Sequence, residues 1–191
     1  MKQKDFSKID IIFKATLKLI RDYGFAGLTM ARIAKGSGMA TGTLYIYFKN
    51  KEELINELYQ SVEKRSSSRF FDGYDKSEPF RVCLRKVWMN YLKNRIENYD
   101  ESVFMEQYYH SPNITVAQKR LAEAMKEPVY TIINRGKEEG FLNNSVDTEM
   151  MFSGMIGFIR ELAYEHMGGR YILNDTRIER AFEINWKMIE K

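Results

Sequence analysis

Apolar residues at Ile9, Ile12, Phe13, Leu17 and Ile20 fall at offsets 0, 3, 4, 8 and 11. That is one face of a 3.6-residue period, and it predicts an amphipathic helix from Ile9 to about Tyr23, ended by Gly24. Two much shorter helices follow. Thr29 is a good N-cap for one whose apolar positions are Met30, Ile33 and Ala34, with Gly36 and Gly38 closing it. A second opens at Ala40 or Thr41 and runs to about Phe48, with Leu44 and Phe48 facing inward at i and i+4. A long helix, a short helix, a tight turn and another short helix therefore occupy the first fifty residues.

The rest of the chain reads as helical too. Asn50 with Glu53 three residues later resembles a capping box, and it opens a helix whose stripe is Leu54, Ile55, Leu58, Tyr59 and Val62. The stripe fades in the polar run 64–68, and the break near 72–78 sets the expected domain boundary: 1–70 and 71–191. From Pro79 a helix resumes with Phe80, Cys83, Leu84, Val87, Trp88 and Tyr91 on one face, and Leu92 and Ile96 widen that face to suggest several neighbours. A shorter aromatic helix holds Val103, Phe104 and Tyr108. A long segment, 115–137, contains Pro128, which should kink or split it. Gly140 stops that segment. Asp147 caps a helix with Met151, Met155, Phe158 and Leu162 that ends at Gly168–Gly169, and a last helix starts near Thr176 with Ile178, Phe182 and Ile189. With three prolines in 191 residues and no β alternation, the class is all-α, about nine helices.

Composition bounds the function. Apolar residues at 44% and charged residues at 29% are those of a chain that folds. No stretch approaches the roughly 20 apolar residues of a membrane span, and the start MKQKDFSKID lacks the apolar core of a signal peptide, so a cytoplasmic protein is expected. The single cysteine, Cys83, rules out an intrachain disulfide and reads as core filler. Charge is uneven: residues 1–51 carry a net +7 and residues 52–191 a net −3. A basic head on a near-neutral body fits a polyanion partner.

The helix–turn–helix at 29–48 is the unit that DNA-binding proteins use to place a recognition helix in the major groove. Ala40, Thr41, Gly42 and Thr43 are small enough for close approach to DNA. Thr41 and Thr43 offer hydroxyls, Tyr45 and Tyr47 lie off the Leu44/Phe48 face and offer phenols to backbone oxygens, and Lys51 adds a charge. The stretch LTMARIAKGSGMATGTLYIYFKNKEEL resembles the DNA-binding signature of the TetR (tetracycline repressor) family. Gly24, Phe25, Thr29, Ile33 and Ala34 carry the lead-in. Gly42, Thr43, Leu44, Tyr45, Tyr47 and Phe48 carry the recognition helix, and Lys51, Glu53 and Leu54 the start of the next.

The resemblance implies a regulator of about this length. Its larger C-terminal domain would bind an effector, and its last two helices would pair with those of a second copy to form a homodimer on a palindromic operator. It implies phosphate contacts from Tyr45, Tyr47 and Lys51, with Thr29 nearby, and base contacts from Thr41, Gly42 and Thr43. Arg32 is a candidate for either. The recognition helix departs from the usual readers of bases, since it has no Arg, Asn or Gln. Thymine methyls, Arg32 and DNA shape are left to discriminate.

For the effector cavity the candidates are Trp88, Tyr91, Phe104, Tyr108, Tyr109, Met125, Met155 and Phe158, aromatic and Met side chains suited to a small apolar molecule. Gly154 and Gly157 would allow close helix approach at a dimer interface, and Trp186 and Ile189 would give it bulk. Release from the operator by such a molecule is the expected regulation; control by a protein partner is the alternative. A helical enzyme using His110 or His166 is a further alternative, but nothing in the sequence brings the two histidines together. No catalytic residue, metal or cofactor is implied.

Overall fold

The computed structural model describes residues 6–112 and 114–191. Ten α-helices and one isolated β-bridge, Leu142 with Glu190, are present among the described residues. They are α1 (Phe6–Tyr23), α2 (Met30–Ser37), α3 (Thr41–Tyr47), α4 (Lys51–Phe70), α5 (Phe80–Glu97), α6 (Tyr99–Tyr109), α7 (Val116–Ala124), α8 (Glu127–Glu138), α9 (Thr148–Met167) and α10 (Asp175–Lys187). The expected count of nine is met when α7 and α8 are taken as the one interrupted segment. Pro128 sits in the first turn of α8, where a missing N–H costs nothing, so the break falls just before it.

The chain divides into two compact units. One comprises residues up to Arg65 together with Asp100–Thr115, and the other comprises Ser66–Tyr99 and Val116–Lys191. The expected boundary at 70/71 differs from this in two ways. The apolar stripe of α4 ends at Val62, whereas Arg69 donates to Asn94 Oδ1 at 3.2 Å and the Phe70 ring lies 5.2 Å from that of Tyr91. In addition, α6 belongs with the first unit. Its Phe104 and Tyr108 are buried in the core formed by Ile12, Phe13, Ile20, Ile33, Leu44, Phe48, Leu58 and Tyr59.

In the first unit α1 packs against α2, and Leu44 and Phe48 plug the same core, both with no exposed surface. Deep burial of aromatic rings supplies much of the attraction, with Phe25 tilted against Phe104 and Tyr108 at 6.0 and 5.9 Å. At the edge of α6, Arg21 donates to Asp100 at 2.7 Å and Arg65 to Glu101 at 2.8 Å, while the Tyr108 hydroxyl donates to Asn56 Oδ1 at 3.0 Å.

In the second unit α9 packs against both α5 and α8. The core gathers Phe80, Leu84, Trp88, Ile133, Met155, Ile159, Phe182 and Trp186. Gly136 of α8 is required there. A Cβ at this position would stand 2.2 Å from the nearest Phe80 ring atom, too close for any side chain without a shift of the ring. Trp88 carries a buried polar contact that links α5 to α10, donating to Asn185 Oδ1 at 2.6 Å.

Candidate DNA-binding site and effector cleft

The turn between α2 and α3 is built from backbone requirements. Thr29 has extended φ and ψ, and its Oγ1 accepts the Arg32 N–H at 3.2 Å, capping α2 as expected. At the other end Gly38 takes a left-handed φ of 68°, and the N–H groups of Gly38 and Met39 return to the carbonyls of Lys35 and Ala34. Gly36 does not close the helix. It lies within α2, where a Cβ would touch Ala15 and Leu19 of α1 at 3.6 and 3.7 Å, so its smallness serves the packing of α2 on α1.

Three residues after Gly38, α3 begins. The following helix is anchored by the capping box: Asn50 Oδ1 accepts the Glu53 N–H at 2.8 Å, and the Glu53 carboxylate accepts the Lys49 N–H.

This framework sorts the candidate DNA contacts. Thr41, Gly42 and Tyr45 are exposed, and Thr43 is half-buried on the same short helix. Nothing lies within 4 Å of the position a Gly42 Cβ would occupy, so the surface is open at that point. Tyr45 is 53% exposed, as a phenol aimed at a partner must be, but Tyr47 is half-buried and packs on the core with its ring 6.5 Å from that of Phe48. Lys51, half-buried, opens α4.

Arg32 is exposed, yet it is not extended. Its Nη1 donates to the Gly27 carbonyl at 2.9 Å and its guanidinium lies 5.5 Å from the centre of the Tyr23 ring. Ile46, absent from the sequence-based candidates, is 70% exposed on α3. The signal for it was available: position 46 lies two residues from both Leu44 and Phe48, about 200° around the helix from each, so an inward-facing 44/48 pair forces it outward.

The second unit holds a cleft with about 650 Å³ of empty space, counting the part open to solvent. Its walls are Leu84, Val87, Trp88 and Tyr91 of α5 and Phe152, Met155, Ile156 and Ile159 of α9. Phe70 and the Met125, Lys126 and Val129 side chains around the α7–α8 break complete it. Of the sequence-based candidates, Trp88, Tyr91, Met125 and Met155 line the cleft. Phe104, Tyr108 and Tyr109 do not: they belong to the first unit, two of them as buried core and Tyr109 packed against it. Phe158 packs against the second core without reaching the cleft, because α9 turns its Phe152, Ile156 and Ile159 face inward there.

The histidines have other surroundings. His110 is exposed with its ring edge-on to Tyr109 at 5.1 Å, and His166 Nδ1 accepts the Leu173 N–H at 3.1 Å, fixing the turn after α9. Beside it, hydrogen bonds from Arg170 hold the Glu165 carboxyl below the usual carboxylate range. His110 lies in the first unit and His166 in the second, and no group of three or more His, Cys, Asp or Glu side chains fit to hold a metal is present among the described residues. No helix among them is long and apolar enough to cross a membrane.

Two short helices joined by a glycine-closed turn, mounted on a helical core and followed by a second helical unit with an apolar cleft, define a helix-turn-helix transcriptional regulator. The chain belongs to the TetR family. Residues 12–58 match the bacterial regulatory proteins of the tetR family, and residues 79–190 match the tetracyclin repressor-like C-terminal domain. This is a family of DNA-binding regulators, not enzymes.

An HTH-type transcriptional regulator of Haemophilus influenzae is 25% identical over 191 residues, the whole of both chains. The crystal structure of a TetR family transcription regulator from Marinobacter aquaeolei is 25% identical and superposes with a TM-score of 0.86 over 100% of each chain. A TetR family protein from Vibrio parahaemolyticus is 30% identical, with a TM-score of 0.75 over 96% of this chain and 99% of that one.

Proposed function

We propose that the protein is a homodimeric repressor that binds a palindromic operator and is released from it when a small apolar molecule enters the cleft of the second unit. The observation that carries the effector half of this reading is the cleft itself: apolar, and walled by Trp88, Tyr91, Met125 and Met155, four residues singled out from the sequence alone. An effector acts only through its differential affinity for the operator-bound and released states, and an apolar cleft is a place where such a difference can arise.

For the DNA half, Thr41, Gly42 and Thr43 approach the bases, with Ile46 beside them as an apolar surface for thymine methyls. Tyr45, Tyr47 and Lys51 hold phosphates, with Thr29 near the start of α2. Arg32 bears on the backbone from its seat on the Gly27 carbonyl.

The test is a gel shift on the DNA upstream of the protein's own gene, repeated with apolar ligands. Tyr47→Phe and Lys51→Ala should each weaken binding to every sequence, and Lys51→Ala should lower the salt slope by about one. Tyr47→Phe keeps the ring that packs on the core, so its effect isolates the phenol. Thr43 substitutions should instead change which sequence is preferred. Unchanged affinity in the double variant refutes the phosphate assignment, and a shift insensitive to every apolar ligand but reversed by a protein would favour control by a partner.

A further inference from the structure

Among the described residues that wall the cleft, Lys126 is the single charged one, and no carboxylate is among them. That asymmetry bears on the chemistry of the ligand. An ionised ligand group pays a desolvation cost that only an opposite charge or hydrogen bonds can offset. A cationic ligand would find the faces of Trp88 and Tyr91 but no counter-charge, and it would meet Lys126 as a like charge. An anionic head would meet an ammonium at the place where the wall breaks.

Lys126 stands at the break between α7 and α8, with its stem among the wall residues and its side chain 31% exposed. A long apolar stem with a charged tip in water is the ordinary behaviour of lysine at the rim of an apolar surface. Its Nζ lies 2.7 Å from Glu123 Oε2, one turn earlier on the exposed face, and Glu123 is not part of the wall. An exposed ion pair at i,i+3 contributes little net stability, so the Glu123 pair is by itself a weak competitor for an anion arriving from the cleft side.

We propose that the effector is a single-chain amphiphile with an anionic head, its tail among Trp88, Met155 and Ile159 and its head at Lys126. The proposal rests on reading the cleft as the effector site, and it adds the sign of the charge. The head is a carboxylate or a phosphate; the two share the chemistry that Lys126 selects.

The experiment uses the intact protein and four probes of equal chain length, each below its micelle concentration: dodecanoate, dodecyl phosphate, 1-dodecanol and dodecylammonium. Trp88 lines the cleft and is one of two tryptophans in the chain, so tryptophan fluorescence reads occupancy, and calorimetry gives the affinity. Both anions should bind at least tenfold tighter than dodecylammonium, with the alcohol between. Whichever anion is tighter identifies the head. Shortening the chain should weaken binding by about fourfold per methylene buried.

In Lys126→Glu the order should reverse, and in Lys126→Gln the anions should fall to the level of the alcohol. A thermal melt establishes that these rim variants remain folded. Equal binding of dodecanoate, dodecyl phosphate and dodecylammonium, or an order unchanged in Lys126→Glu, overturns the proposal while the alcohol's binding keeps the apolar cleft. Failure of all four probes to bind overturns this proposal, while the effector reading falls only if the gel shift is also insensitive to every apolar ligand.

Discussion

Gly136 shows how a single missing atom decides packing. The Phe80 ring, 1% exposed, lies across α8 where a Cβ would stand 2.2 Å from one ring atom and 2.7 Å from two others. The ring cannot retreat easily, because Phe141 stacks on it at 5.4 Å and Trp186 lies 6.2 Å away. Gly136→Ala gains about 1 kcal/mol of helix propensity. Against that, overpacking a filled core typically costs about 1–3 kcal/mol. The net expectation is destabilisation, seen as a lower midpoint in urea with an unchanged slope. Phe80→Leu in the Gly136→Ala background should recover part of the loss, since it removes the atoms that clash. The sequence offered no hint of this role: Gly136 falls inside a helical pattern, and the ring that excludes a side chain there comes from 56 positions earlier.

At the scale of elements, what could be read from the sequence was whatever is encoded locally. The caps at Thr29, Asn50 and Asp147, the left-handed Gly38 and the Leu44/Phe48 pair depend on residues within a few positions of one another, and each is found where the pattern put it. The effector candidates fared differently. Phe104 and Tyr108 have the composition of a ligand pocket but complete the core under the DNA-reading helices, a fact set by which unit α6 packs with, and no local pattern records that. Lys126 was missed because it becomes part of the wall only through the break that Pro128 introduces.

The coupling of α5 to α10 is likewise non-local. Trp88 faces the cleft and donates at 2.6 Å to Asn185, a residue 1% exposed on α10, whose own Nδ2 points to Met188 Sδ at 3.7 Å. Asn185→Leu leaves the indole N–H buried without its acceptor, which costs about 1–3 kcal/mol. Trp88→Phe in that background removes the orphaned donor and should restore part of the stability. A double-mutant cycle by urea unfolding measures the coupling, and additivity of the two changes would mean that the bond contributes nothing.

For the molecule as a whole, assembly turns on which apolar groups α9 and α10 leave uncovered. The sequence-based expectation gave bulk at a dimer interface to Trp186 and Ile189, but these are 8% and 4% exposed and belong to the core of their own subunit. The outward apolar groups are others: Met150, Tyr164 and Met167 on α9, Ile184 on α10 and Met188 just after it. Gly157 lies exposed along the same α9 stripe with nothing near the place of a Cβ, and the Met188 methyl lies 3.7 Å from the Cβ position of Gly154, so the outward faces of the two helices adjoin. A contiguous exposed apolar face of this kind has the character of an association surface.

A two-fold dimer uses the same patch on both copies, so one substitution acts twice. Ile184→Asp together with Met188→Glu would bury four like charges in a symmetric interface, while in the monomer both side chains are solvent-exposed and the fold should persist. Sedimentation should then show a monomer with an unchanged helical circular dichroism spectrum. Binding to a palindromic operator should fall by orders of magnitude, because two half-sites held by one linked pair of heads become two separate, weak events. A variant that sediments as the parent protein does would show that this face is not the interface.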